Sequence, residues 1–296
     1  MSVPQRIAIT GASGLIGSAL VGHLKSEGHT VQRLVRRTPV SADEIQWDPK
    51  TGYVDLEALR GVDAVIHLAG AGVGDKRWTK RYKAEILNSR LLGTTAIAKA
   101  VAEVKPQVFI SSSAIGWYGD SGNRAVVESD TVGNDFLATV CREWESAADL
   151  AGDVRTVKLR TGVVLDPTGG ALGRMLPLFK LGLGGKLGSG KQWWSWITLH
   201  DLIRAIIYTL ENQISGPVNL TSPNPVTNQE FTAALARAMK RPALFPAPAI
   251  ALKIALGGFS SEILGSKKVI PTVLQEAGFT WDYPHISTAL EALVEH

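Results

Sequence analysis

The 296 residues suffice for one large domain or two smaller ones, and 45% hydrophobic with 20% charged residues describes a folded globular chain, not a disordered one. The net charge of +4 is spread without any basic run, which argues against a nucleic-acid or membrane-surface partner and suits an anionic cofactor or substrate. A single cysteine, Cys141, excludes an internal disulfide framework and a cysteine metal site, and a small apolar helix residue is its expected role.

Arg6–Ile9 reads as a strand. It leads into Thr10-Gly11-Ala12-Ser13-Gly14-Leu15-Ile16-Gly17 and an amphipathic helix, Leu15–Glu27, ended by Gly28. With a strand this early no secretory signal is expected, and the reading is a soluble cytoplasmic protein. In the turn, Gly11 allows the tight bend, Gly14 a close approach to a pyrophosphate, and Gly17 close helix–strand packing. The helix N-terminus would aim its amides at the phosphates. Three spaced glycines are weak by themselves in a chain holding 30. The strand before, the helix after and a second strand at Val31–Val35 supply the context a dinucleotide fingerprint needs.

That second strand ends Arg33-Leu34-Val35-Arg36-Arg37. NAD sites commonly place an acid here for the ribose 2′-hydroxyl, and none is present. Arg36 and Arg37 offer guanidinium forks to a 2′-phosphate instead, so NADP(H) is the expected cofactor; the alternative is a solvated basic turn.

Strand-like Ala64–Leu68, helical Tyr82–Val104, strand-like Val108–Ser111, helical Asp135–Leu150 and strand-like Thr156–Leu159 follow. The alternation predicts right-handed crossovers and an α/β fold, a Rossmann doubly wound parallel sheet. His67 falls in a buried strand and reads as a satisfied core histidine. Dense glycine from Gly162 to Gly190 predicts loops and tight turns around a site. Asp201 is placed to cap a helix Leu202–Glu211, Val218–Leu220 is strand-like, and Thr227 to Glu230 forms a capping box opening a helix through Met239. Pro242, Pro246 and Pro248 mark a linker before a last helix at Ile286–Val294. The longest apolar stretch, Ala243 to Gly258, is broken by Pro246, Pro248 and Lys253, so no membrane span is expected. The expected division is a Rossmann domain over 1–162 with later segments returning to the sheet, a smaller substrate-side lobe over 163–242, and a C-terminal helical appendage over 243–296.

The strings TGASGLIG, HLAGAGV, EILNSR, SSAIGWYG, LRTGVVL, LGLGGKLGSG and QEAGF span nearly the whole chain. Together they resemble an atypical extended short-chain dehydrogenase/reductase, the epimerase family that ends in a small domain of unknown function. The resemblance implies a cofactor set. Gly11, Ser13, Gly14, Leu15 and Ile16 would face the pyrophosphate, Val35 and Arg36 the adenosine ribose, and Leu68, Ala69 and Gly70 would pass beside the cofactor. Glu85, Arg90 and Arg160 match further cofactor-associated positions. Strand ends at Leu68 and Arg160 belong at the carboxyl edge of the sheet, where ligands bind. Glu85 and Arg90, five apart, share a helix face poorly, and each alone reads as a surface charge. Members of the group often pair through two long helices, here Tyr82–Val104 and Asp135–Leu150, which makes a homodimer the expectation.

The group's chemistry rests on Tyr-x-x-x-Lys, in which the lysine lowers the tyrosine pKa so that the phenolate exchanges a proton while hydride moves. Matching Glu145 to the group's glutamate places Cys141 at the lysine position and Leu137 at the tyrosine position. Arg90 replaces the group's asparagine before Gly93-Thr94. Ser113 matches its substrate-binding serine; the alternative is a strand-end hydroxyl bonded to backbone. Tyr118 could stand in for the lost phenol if Arg90 or Lys186 lowered its pKa, or it is a packed aromatic. Glu128 and Asp130 read as solvated loop charges. Gln192-Trp193-Trp194-Ser195-Trp196 is either a wall for a planar substrate or core, and lacks the basic groove of a nucleic-acid platform. His200 reads as a helix-start residue, and no cluster has metal-ligand spacing. Two functions stay open: an NADP(H)-dependent oxidoreductase or epimerase-like enzyme acting on a small molecule, and a non-catalytic NADP(H)-binding sensor or interaction protein.

Overall fold

The computed structural model describes residues 3–294. Strands covered on both faces need near-continuous apolar runs, and the interior residues of β1 (Arg6–Thr10), β5 (Ala64–His67) and β6 (Val108–Ala114) are buried accordingly. They form the centre of an eight-stranded sheet. Its order is β12 (Gly216–Leu220), β8 (Thr156–Thr161), β6, β5, β1, β2 (Thr30–Val35), β3 (Glu44–Asp48), β4 (Tyr53–Val54). All neighbours are parallel except β3 and β4. The chain leaves β1 toward β2 on one side and later toward β5 on the other. That reversal is the switch point at which doubly wound sheets open a crevice at their carboxyl ends. The doubly wound reading therefore holds, extended by β3 and β4, which lay unread between Arg37 and Ala64; the single turn α2 (Leu56–Leu59) follows them.

Helices cover both faces. Leu20 and Leu24 of α1 (Leu15–Ser26) and Ile203 and Ile206 of α6 (Leu199–Glu211) pack on Ile7, Ile9 and Ile66. On the opposite face Ile97 and Val101 of α3 (Lys80–Val104) pack on Val65 and Phe109, and α4 (Phe136–Ala148) lies beside α3.

Beyond residue 162 two expectations are corrected. The glycine-dense stretch is not loop throughout: it contains β9 (Val163–Asp166) and α5 (Gly170–Lys180). Two of its left-handed glycines, Gly170 and Gly182, mark the two ends of that helix, and the other two, Gly188 and Gly190, lie in the loop beyond. Second, α6 starts at Leu199 and is capped by Thr198, whose hydroxyl accepts the Asp201 amide at 3.0 Å. Asp201 lies buried in the first turn, and its carboxylate accepts the amides of Asp282 (3.0 Å) and Tyr283 (2.9 Å) and an Arg204 N–H (2.9 Å). A Thr three residues ahead of an Asp is itself a capping pattern, so the start lay one step upstream.

The last segment packs against the rest of the molecule. It comprises α8 (Ala249–Leu256), α9 (Ser260–Leu264), β14 (Lys268–Val269), α10 (Thr272–Glu276) and α11 (Ile286–Val294). Leu274 and Phe279 join the core under α6, while Ile286 and Leu290 pack on Phe231 and Leu235 of α7 (Asn228–Ala238). The capping box at Thr227 and Glu230 opens α7 as read. β14 pairs with β7 (Ala125–Val126), and β11 (Trp196–Thr198) with β9. Among the described residues no helix is long and apolar enough to cross a membrane.

Candidate active site

The glycine turn at the end of β1 has the expected shape for a steric reason. Gly11 takes φ +69°, and a Cβ there would lie 2.8 Å from the Leu68 carbonyl carbon. At Gly17 a Cβ would stand 2.1 Å from the Gly11 oxygen, so α1 rests directly on the turn. Gly14, at the helix start, brings no side-chain cap, and the first-turn amides beside exposed Ser13 and Gly14 are left for an anion. Leu15 and Ile16 are half-buried, with Ile16 against the core.

The Thr10 hydroxyl accepts the Leu68 amide (3.1 Å) and the Ala69 amide (3.3 Å), which holds the segment leading to Gly70 beside this turn. Its single proton therefore goes to His67 Nδ1, 2.7 Å away. His67 is thus satisfied at Nδ1 only, since Nε2 has no partner among the described residues, and burial pushes its pKa down to about 3, keeping it neutral.

At the end of β2 the two arginines part. Arg37 gives both terminal nitrogens to Glu44, at 2.6 and 2.8 Å, and the Glu44 side chain is buried. That fork is occupied, which corrects the expectation of two arginines offered to a phosphate. Arg36, one residue after half-buried Val35, is exposed and makes no ion pair among the described residues.

Past the ends of β6 and β8 lies a cavity of about 340 Å³. Ser113 lines it, and its hydroxyl donates to Glu145 Oε1 at 2.7 Å, not to backbone. Leu137 and Cys141 line it too, pressed against Gly116. Burial, with Glu145 nearby, pushes the Cys141 thiol up to about 12, and it donates to the Ala114 carbonyl at 3.6 Å.

Arg90 also lines the cavity. It donates to the carbonyls of Ala71 (2.9 Å) and Ile86 (3.2 Å) and lies 4.7 Å over the Trp144 ring. Glu85 points elsewhere, exposed and 3.4 Å from Lys76, as the five-residue spacing would have it. Trp193 and Trp194, in β10 paired with β13 (Val226–Thr227), wall the cavity, whereas Trp196 is buried core. The cluster is thus divided between the cavity lining and the core.

Three assignments are corrected. Tyr118 is 5% exposed and packs with Ile115, Val126 and Val269, away from the cavity. Its hydroxyl donates to Asn219 Oδ1 (2.7 Å) and accepts from Arg160 (3.1 Å). Burial outweighs that cation and lifts the phenol to about 12, so it is a structural aromatic. Arg160 is buried as well, bidentate on Glu145 at 2.8 and 3.0 Å, bonded to the Glu128 carbonyl and stacked 3.9 Å from Trp117. It is not among the residues that line the cavity. Glu128 is no solvated loop charge: it is buried and accepts the amides of Asn219, Thr272 and Val273.

Sequence reasoning missed Lys267 and Glu262, which bring charge into the cavity from the C-terminal segment, 2.9 Å from one another. Adjacent lysines at 267 and 268 carry no signal of which turns inward. Lys268 lies 4.2 Å over Trp193. His200, buried Asp201 and Asp282 form a further cluster that is already bonded internally: His200 meets Asp282 at 2.7 Å and Asp201 holds backbone.

Residues 7–221 match the model of the NAD dependent epimerase/dehydratase family, and residues 247–293 that of a domain of unknown function, DUF1731. The chain belongs to the NAD-dependent epimerase/dehydratase family. It is 45% identical over 288 residues to epimerase family protein Mb2239 of Mycobacterium bovis, covering 96% of each chain. It is 37% identical to a chloroplastic SDR39U1 homologue of Arabidopsis thaliana, across 98% of this chain and 86% of that one. Human epimerase family protein SDR39U1, solved with NADPH, superposes with a TM-score of 0.90 at 32% identity, covering 98% of this chain and 99% of that one.

The positions that match the tyrosine and lysine do line the cavity beside Ser113, but they present a leucine and a neutral thiol. Tyr118 lies outside that cavity. Tyr118→Phe should therefore cost about 1–2 kcal/mol of stability, through Asn219 and Arg160 left short of a partner, and leave cofactor binding unchanged. Denaturant unfolding and an NADPH titration check this; a large loss of affinity in the folded variant would return the phenol to the site.

Proposed function

We propose that this protein binds NADP(H) along the carboxyl edge of its sheet and acts as an oxidoreductase or epimerase-like enzyme on a small molecule held in the adjoining cavity. The observation that carries the cofactor reading is exposed Arg36 at the end of β2, beside a Glu44 already neutralised by Arg37. Among the described residues no free carboxylate is left there to prefer a 2′-hydroxyl, while a guanidinium is free for a 2′-phosphate. The human relative solved with NADPH supports the same choice.

The glycine turn's amides would hold the pyrophosphate, and Leu68 to Gly70, held by Thr10, would flank it. When bound, the cofactor supplies or accepts the hydride. Because the Ser113 proton is committed to Glu145, the lone pairs of its oxygen are left for the cavity, and Ser113 is suited to accept a hydrogen bond from a substrate hydroxyl. A second reading, a cofactor-binding protein without turnover, is favoured by Leu137 and Cys141 in place of the proton-exchanging pair.

Arg36→Ala should weaken NADPH binding by about tenfold or more and leave NADH nearly unaffected, since a charge-assisted pair is removed from one ligand only. Nicotinamide fluorescence titrations measure both; equal losses would overturn the 2′-phosphate role. Challenging the NADPH complex with a mixed carbonyl library then separates the readings, because oxidation of the cofactor supports the enzyme and binding without oxidation supports the sensor.

A further inference from the structure

The cavity beyond Ser113 has a composition that speaks to its occupant. Its walls are largely carbon, among them Leu137, Val140, Trp144, Trp194, Phe259 and Ile263. Four ionisable side chains reach it: Arg90, Cys141, Glu262 and Lys267. The thiol is neutral, so two cations and one carboxylate leave a single net positive charge.

Lys267 is the most telling of these groups. Its side chain is 6% exposed, and among the described residues its ammonium has one acceptor, Glu262 at 2.9 Å. An ammonium carries three N–H donors, and a buried one short of acceptors is costly. Arg90 repeats the pattern. One terminal nitrogen serves the Ala71 and Ile86 carbonyls, the plane rests on Trp144, and the remaining nitrogens have no protein acceptor among the described residues. Both cations thus hold unused donors at the edge of an apolar space, where one well-placed anion gains most from them.

We propose that the cavity takes a small monoanion with an apolar or aromatic body, a carboxylate above all. Lys267 and Arg90 meet the charge, and Trp144, Trp194 and Phe259 surround the body. The inference rests on reading this cavity as the substrate site. It sets the protein apart from an enzyme built for a nucleotide sugar. Sugar hydroxyls against Leu137, Val140 and Ile263 would lose water without gaining partners, and each unpaired group is costly. The volume, about 340 Å³, also lies at the compact end of ligand sites, which run from about 300 to 1,000 Å³.

The test is calorimetric titration of the full chain, with and without saturating NADPH, using hydrocinnamate, its neutral amide of equal shape, and UDP-glucose. The acid should bind about tenfold or more tighter than the amide, and UDP-glucose should not displace it. In Lys267→Met/Glu262→Leu, which removes one charge of each sign and keeps the site filled, that advantage should shrink several-fold while amide affinity holds. Equal affinity of acid and amide, no binding of either, or displacement by UDP-glucose overturns the proposal. An advantage unchanged in the double variant removes Lys267 from it. NADPH affinity is read separately: its loss with acid selectivity intact would sink the cofactor reading alone, and its retention without acid selectivity would sink only this one.

Discussion

Arg160→Met should lower the free energy of unfolding by about 3–5 kcal/mol while leaving NADPH affinity nearly intact in the folded variant. The stability loss follows from what stays behind. Glu145 is 4% exposed, and with Arg160 gone it keeps a single donor, Ser113. A carboxylate that deep without its counter-charge is strongly destabilising, far more than the pair's own net contribution. Tyr118 loses one of its two partners, and the Glu128 carbonyl loses the donor that ties its loop to β8. Arg160→Met/Glu145→Leu should recover much of the deficit, because removing both charges lifts the burial penalty that removing one exposes. Urea unfolding of the three proteins decides this, and a double variant no more stable than the single one would refute it. The affinity half matters equally. The family resemblance places Arg160 at the cofactor, whereas its side chain is enclosed by Glu145, Tyr118 and Trp117. A tenfold or greater loss of NADPH affinity in folded Arg160→Met would restore the ligand role.

How far the sequence could be read tracks how local the cause was. The Rossmann half was legible because each cause lies within a few residues: an apolar run for β1 and three glycines whose spacing the turn demands; the capping box at Thr227, beyond that half, is just as local. That the strands form a parallel sheet followed from alternation of strand and helix. The failures depended on partners far along the chain. Arg37 looks as free as Arg36 until β3 brings Glu44 beside it. Tyr118 looks like a spare phenol until Asn219, 101 residues on, takes its hydroxyl. Glu128 looks solvated until the amides of residues 219, 272 and 273 converge on it. The glycine-rich stretch misled for a different reason: glycine marks helix ends as readily as loops, and α5 lies between two such ends. Lys267 was illegible in kind, because a lysine turned inward differs from its exposed neighbour only in the tertiary packing around it.

Gly17→Ala and Gly22→Ala, the same substitution five residues apart on α1, should move the protein in opposite directions. At Gly22 an added methyl meets nothing within 4 Å. There alanine gains only its better helix propensity, and stability should rise by about 0.5–1 kcal/mol. At Gly17 the same methyl would stand 2.1 Å from the Gly11 oxygen, 2.8 Å from its carbonyl carbon and 2.9 Å from the Ala12 Cα, all backbone. No side chain can swing aside, so either α1 lifts from the turn or the turn moves. Gly11 cannot yield easily, since its own approach to Leu68 leaves no slack. The expected loss is about 3 kcal/mol or more, as for a clash in a packed core. The displaced turn also carries the amides offered to the pyrophosphate, so NADPH affinity should fall by about tenfold or more, with NADH weakened equally because both share that group. This separates the variant from Arg36→Ala, which discriminates between the two cofactors. Thermal unfolding with paired NADPH and NADH titrations reads all of it. A stable Gly17→Ala with unchanged affinity for both would mean that α1 does not rest on this turn as described, and the fingerprint would lose its steric basis.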